Sequence, residues 1–178
     1  MNTERTPIST ACPVALQWAK DHLRVDANDE NSLITDMIWT AASEIEAQAG
    51  IALLSQTITF TTDEDAGQVI ALPVGPIAAD ATATVVMINS DGTTTAIASG
   101  FWLEGLRYPT LRFADEAPTE RLRITYVAGH ASLPTDLRQA IVEQVARLYD
   151  HRGGVMDNAP ALSAHTARVI ARHRRVTV

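Results

Sequence analysis

Hydrophobic and polar positions change their period twice along this chain, and the two changes divide it into helix, strand and helix regions. Over residues 28–49, Leu33, Ile34, Met37, Ile38, Ala41, Ala42 and Ile45 share one broad helical arc, while Thr35, Asp36, Trp39, Ser43 and Glu46 lie opposite. Asn28 or Asp29 can cap the first turn, Asp29 and Glu30 stand where the macrodipole favours carboxylates, and Gly50 supplies a stop. A shorter helix is predicted over 13–23, with Leu16, Ala19 and Leu23 on its stripe and Trp18 off it. The polar link between them makes a hairpin or a corner. Two helices thus carry a tryptophan away from their apolar face.

After Gly50 the period shortens to that of a strand, with Ile58 and Phe60 on one side and threonines between them. Further strands are predicted over 68–72, 83–89, 93–98, 101–103, 110–113 and 121–127. Asp91 and Gly92 fit a hairpin turn, and Pro73, Pro76, Pro109 and Pro118 keep the strands short. Helical spacing returns over 135–151, where Leu137, Ile141, Val145, Leu148 and Tyr149 form a stripe, Ser132 or Thr135 can cap, and Gly153 and Gly154 end the helix. In the last stretch Leu162, Thr166, Val169, His173 and Val176 share one stripe, and Arg168, Arg172 and Arg175 line another.

These elements predict an α+β fold. Two N-terminal helices and the helix near 135–151 form a helical core, with an antiparallel β region over about 55–127 inserted and a C-terminal basic helix or tail. The expected organisation is a single domain over 1–154 and a basic tail over 155–178. Leu33, Ile34, Met37, Ile38, Ile45, Leu137, Ile141, Val145 and Leu148 are the expected helical core. The tail has helical stripes but no core left to bury them, so it is expected to order on binding.

Composition changes this picture in one respect. The chain has 178 residues, 46% of them hydrophobic and 20% charged, with no apolar run near the ~20 residues that span a bilayer, so a globular protein without a membrane partner is expected. The N-terminus shows no signal-peptide pattern, and the single cysteine, Cys12, suits a reducing cytoplasm. The net charge of −7 is unevenly spread: residues 1–150 hold 20 acids against 9 bases, whereas 151–178 hold Arg152, Arg168, Arg172, Arg174 and Arg175 against Asp157 alone. An acidic body disfavours wrapping nucleic acid, and a basic end suggests a partner of its own.

Candidate chemistry adds little. There is no GxSxG, no Gly-rich phosphate loop and no HExxH or CxxC around the histidines at 22, 130, 151, 165 and 173. The acidic loop from Asp26 has Asn31 where a calcium loop needs glycine and Met37 where it needs a bidentate glutamate, so capping is the preferred reading. No catalytic residue, cofactor or metal is assigned.

Two stretches carry a resemblance. The first holds Ala19, Leu23, Arg24, Val25, Asp26, Asp29, Leu33, Ile34, Ile45, Glu46 and Gly50; the second holds Tyr126, Ala128, Gly129, Pro134, Leu137, Ala140, Ile141, Leu148, Tyr149 and Arg152. In this order around a β-rich middle, over roughly 13–154, the sequence resembles the head-to-tail connector, or adaptor, proteins of long-tailed phages and phage-derived gene transfer agents. The resemblance implies a structural virion protein, made in the bacterial cytoplasm and located in the particle neck. It also implies a homo-oligomeric ring, usually of twelve copies, that joins the portal of a DNA-filled head to a stopper or tail-completion protein. Double-stranded DNA passes through such a ring without sequence-specific binding, and no catalysis is implied.

The residues fit this at three points. An acidic body suits a channel in which a polyanion must slide, since basic side chains would hold phosphates. Trp18 and Trp39 suit subunit or partner contacts, with burial under the sheet as the alternative. The tail, through Leu162, Arg168, Val169, Arg172, Arg174 and Arg175, suits docking on the portal. The alternative function is a nucleic-acid-binding or regulatory module acting through the arginine-rich tail; an enzyme would require a pocket with two or more titratable groups.

Overall fold

Four helices come from the two ends of the chain in this computed structural model, which describes residues 2–152 and 162–174. They are α1 (Leu16–Leu23), α2 (Asn31–Ala49), α3 (Thr135–His151) and α4 (Ala164–His173), and they belong to a helical unit formed by 10–53 and the described residues from 132 onward. Ile34, Ile38 and Ile45 of α2 and Leu137, Ile141 and Val145 of α3 are fully buried in one cluster, with Met37 and Leu148 packed partly against it. Leu33 departs from expectation and is 39% exposed. At ~100° per residue it lies roughly 120° from the centre of the buried arc, on the flank of the stripe.

The ends of α2 and α3 also differ from expectation. Neither Asn28 nor Asp29 caps α2; Glu30 occupies that position, and its side chain makes no capping bond to the helix. The amide oxygens of Asn28 and Asn31 instead accept from Lys20 Nζ at 2.9 and 3.0 Å, and Lys20 is only 4% exposed. The energies explain the choice, since a cap contributes about 1 kcal/mol while an unpaired buried ammonium costs several. Gly50 closes α2 as expected, its N–H on the Glu46 carbonyl. Pro134 precedes α3, so neither Ser132 nor Thr135 serves as cap; Gly153 and Gly154, expected to end it, lie outside the described residues.

The C-terminal stripe has the expected face but not the expected surroundings. Thr166 and Val169 are fully buried and Ile170 nearly so, Leu162 packs partly against the cluster, and α4 lies against α2 and α3. Ser163 caps α4 by accepting from Thr166 N–H at 2.9 Å, and Thr166 Oγ1 donates to the Ala140 carbonyl at 3.2 Å. The expectation that no core remains for this segment is corrected: its few apolar side chains complete the helical core formed by α2 and α3. Arg175 and Val176 lie outside the described residues.

Residues 2–9 and 54–131 form a second unit, in which the named strands all pair antiparallel. Its strands are β1 (Asn2–Pro7), β2 (Gln56–Thr61), β3 (Val69–Ala71), β4 (Ala83–Ile88), β5 (Thr94–Ile97), β6 (Phe101–Glu104), β7 (Thr110–Phe113) and β8 (Arg121–Ala128). One sheet has the order β1-β2-β8-β4-β5 and the other β3-β7-β6. Strict alternation along β8 buries Leu122, Ile124, Tyr126 and Ala128, and Ile58, Phe60, Val85, Ile70, Leu111 and Phe113 are buried on their own strands. The β4–β5 hairpin turns at Asp91 and Gly92 as expected, with the Asp91 carboxylate accepting from both Thr93 N–H and Thr93 Oγ1.

The sequence pattern did not foresee β1. All six of its residues are exposed, so it has no apolar alternation to read, and a backbone ladder to β2 from Asn2↔Thr61 to Pro7↔Gln56 holds it. Two resemblance residues prove structural in this unit. The Tyr126 hydroxyl donates to the Val74 carbonyl (2.9 Å) and accepts from Val74 N–H (3.2 Å), which fixes the turn after β3. Gly129, at φ 122°, passes so near Leu54 that a Cβ would fall on its carbonyl oxygen.

Candidate interaction surfaces

In the helical unit, polar side chains at helix ends bind one another. The Tyr149 hydroxyl donates to Glu30 Oε2 and Arg152 Nη1 donates to Glu30 Oε1, both at 2.5 Å, while the Arg152 guanidinium stacks on the Tyr149 ring at 3.7 Å. The Tyr149 hydrogen bond, then the Arg152 charge, hold the Glu30 carboxyl below its usual range, and the same bond pushes the Tyr149 hydroxyl up. This cluster joins the start of α2 to the end of α3. At the other end of α3, His173 Nε2 meets Asp136 Oδ2 at 2.9 Å. Burial alone would raise the Asp136 carboxyl, but the His173 hydrogen bond and charge, aided by Leu137 N–H and Arg172, hold it below its ordinary value.

What remains outward on this unit is a short set. Trp39 is 39% exposed on one flank of α2, and Leu33 lies on the other. Trp18 is half-buried, packed partly against the helical cluster with the Arg138 guanidinium over its ring at 5.7 Å. On α4, Arg168 and Arg172 are exposed, as is Arg174 just beyond it. Leu162 and Val169 turn inward, so the five described tail residues do not present one joint face: three arginines are exposed and the two apolar residues pack against the core. Cys12 is half-buried, and burial pushes its thiol up, away from a reactive thiolate. Among the described residues no group of three or more His, Cys, Asp or Glu side chains could hold a metal ion, and no helix is long and apolar enough to cross a membrane.

The β unit carries a surface that the sequence pattern missed. Across β3-β7-β6, Val69 pairs with Arg112 and Arg112 with Trp102, so the three form one outward row. Val69 is 44% and Trp102 43% exposed. Trp102 Nε1 and Arg112 Nε both donate to the Glu104 carboxylate at 3.1 Å, which holds that carboxyl below its usual range. The loop from β6 to β7 adds Leu106 and Tyr108, both exposed, with Arg107 over the Tyr108 ring at 5.3 Å. Strand alternation around Phe101 and Leu103 was the available signal, since it places Trp102 on the outward side.

The opposite end of the same unit is acidic. Register sets Ile88 beside Arg121 and Thr61 beside Arg123, so the loops 62–68, 89–93 and 114–120 gather at one end. Asp65 and Glu116 line an open cleft of about 450 Å³ there, together with Ala117 and Pro118. Glu64 and Glu120 border its neighbour.

No protein-family model matches the chain, and no curated protein does. Solved structures do. The chain is similar to one from the virion of a native gene transfer agent (GTA) particle, with a TM-score of 0.81 and 25% identity. It is also similar to chains from the neck of a native GTA particle computed with C12 symmetry (0.77, 25%) and the neck of an empty GTA particle computed with C6 symmetry (0.79, 22%). Each match covers 100% of this chain and 97% of the other. With its α+β fold shared over their full length, the chain's likeness to these particle chains supports a structural protein of a phage-type or gene-transfer-agent particle.

Proposed function

We propose that the chain is a head-to-tail connector subunit: twelve copies close into a ring beneath a portal and continue the DNA channel towards a stopper and tail. The observation that carries this is the full-length likeness to chains of neck particles, one computed with C12 symmetry, at 25% identity. The charge of the body supports it. An acidic ring interior lets duplex DNA pass without counterion-release binding, whereas a basic one would retain it. The role in this reading is structural.

In this reading Arg168, Arg172 and Arg174, with Arg175 beyond, meet acidic groups of the portal, while Leu162 and Val169 hold α4 in place. Trp39, with the exposed edge of Trp18, contacts a neighbouring subunit or partner. Sedimentation of the full chain with its portal tests the tail contact. The wild type should co-sediment as a complex, and reversal of Arg168, Arg172 and Arg174 to Glu should abolish attachment with a steep dependence on salt. Undiminished attachment by that variant would show that the portal reads another surface, and DNA binding by the free wild type would favour a nucleic-acid module.

A further inference from the structure

We propose that the loop of residues 105–109, with the outer face of the three-stranded sheet, is one half of a contact between copies of this chain, and that the acidic end of the β unit in a second copy is the other half. The proposal rests on the connector reading and names the surface that closes its ring.

The loop is built to hold apolar side chains outward. Its backbone is anchored on both sides, by Ile77 N–H on the Leu106 carbonyl (2.8 Å) and by Leu72 N–H on the Pro109 carbonyl (3.0 Å). Gly75 lies beneath it, where a Cβ would come within 2.5 Å of the Arg107 carbonyl oxygen. Yet Leu106 is 56% exposed, and Tyr108 in the loop and Trp102 on β6 are exposed as well. A fixed backbone that presents Leu, Tyr and Trp with an arginine matches the residue types and rigidity of binding hot spots.

Charge selects the occupant. Arg112 is already bound by Glu104, so Arg107 over Tyr108 is the cation the loop offers a partner. Two such loops facing each other would set Arg107 against Arg107, which disfavours a symmetric pair. The complementary surface is in the same unit: β7 starts at the loop and ends at the acidic end, where Asp65 and Glu116 line an open cleft with Ala117 and Pro118. Complementary surfaces at opposite ends of one body give head-to-tail contact, the geometry that closes rings. A basic, aromatic loop and an acidic cleft that also holds Ala117 and Pro118 supply both halves of such a contact.

The test uses the full chain with its portal, scored as ring yield in negative-stain images. Arg107→Glu with Tyr108→Ala should lower ring yield about tenfold or more at an unchanged melting temperature. Asp65→Arg with Glu116→Arg should do the same, and a chain carrying Arg107→Glu with both acidic reversals should recover rings. As a second readout, Arg107→Cys with Glu116→Cys in a Cys12→Ser background should form disulfides between chains and none within one. Wild-type ring yield from the loop variant, no recovery in the combined chain, or no interchain disulfide in rings overturns the pairing while leaving the connector reading intact. A wild-type chain that stays monomeric beside its portal overturns both.

Discussion

The two units use their polar side chains in opposite ways. In the helical unit they bind one another, mostly near helix ends: Lys20 to Asn28 and Asn31, Glu30 to Tyr149 and Arg152, and Asp136 to His173, with Gln144 to Glu44 between the middles of α3 and α2. In the β unit the interior polar contacts run to backbone, as with Tyr126 on Val74 and Thr62 on Leu122. Its outward side chains Trp102, Leu106 and Tyr108 stay exposed. Sheets satisfy their backbone through neighbouring strands, whereas a helix bundle is closed only by side chains. Substitutions in the helical unit should therefore register mainly as stability, and those on the outer β surface mainly as assembly.

The largest test of that contrast is Ile141→Ala or Ile38→Ala. Both side chains are fully buried, and each substitution should lower unfolding free energy by about 2–4 kcal/mol in chemical denaturation. An unchanged denaturation midpoint would remove the paired-helix core from the account. In the β unit the corresponding interior change is Tyr126→Phe, which strands the Val74 N–H and carbonyl away from water and should cost about 1–3 kcal/mol. A neutral Tyr126→Phe would show that this unit does not depend on that anchor.

A smaller effect sits at the α3–α4 contact. The folded carboxyl of Asp136 lies below its ordinary value of 3.8, so its contribution is present above that pH and is lost as pH falls through the lower folded value. The wild type should exceed Asp136→Asn by no more than about 1 kcal/mol at neutral pH, and the gap should close in acid. A gap that persists at pH 2 would mean that geometry rather than charge holds α4. Smallest in stability is Trp39→Ala, expected within about 0.5 kcal/mol of wild type, with its loss appearing instead in partner binding. If Trp39→Ala unfolds the chain, that side chain belongs to the core.

Much of the fold was legible because period reports which face is apolar. The stripes of α2 and α3, the alternation of β2 and β8, and the turn at Asp91 and Gly92 all follow from it. Period does not report what covers a face. The α4 stripe of Thr166, Val169 and His173 was read correctly, but its burial depended on α2 and α3 leaving room, a fact of packing. Nor does it report the competition that took Asn28 from the helix end to Lys20. β1 was invisible because a polar edge strand is held by backbone alone. The exposed row of Val69, Arg112 and Trp102 exists only once three strands are in register.

The central claim is that copies of this chain form a ring on a portal. Negative-stain imaging of the purified full chain mixed with its portal tests it most directly. The account expects a second, twelvefold ring stacked beneath the portal, with an open channel through both. Bare portals beside a monomeric protein, at concentrations where the chain is fully folded, would contradict it.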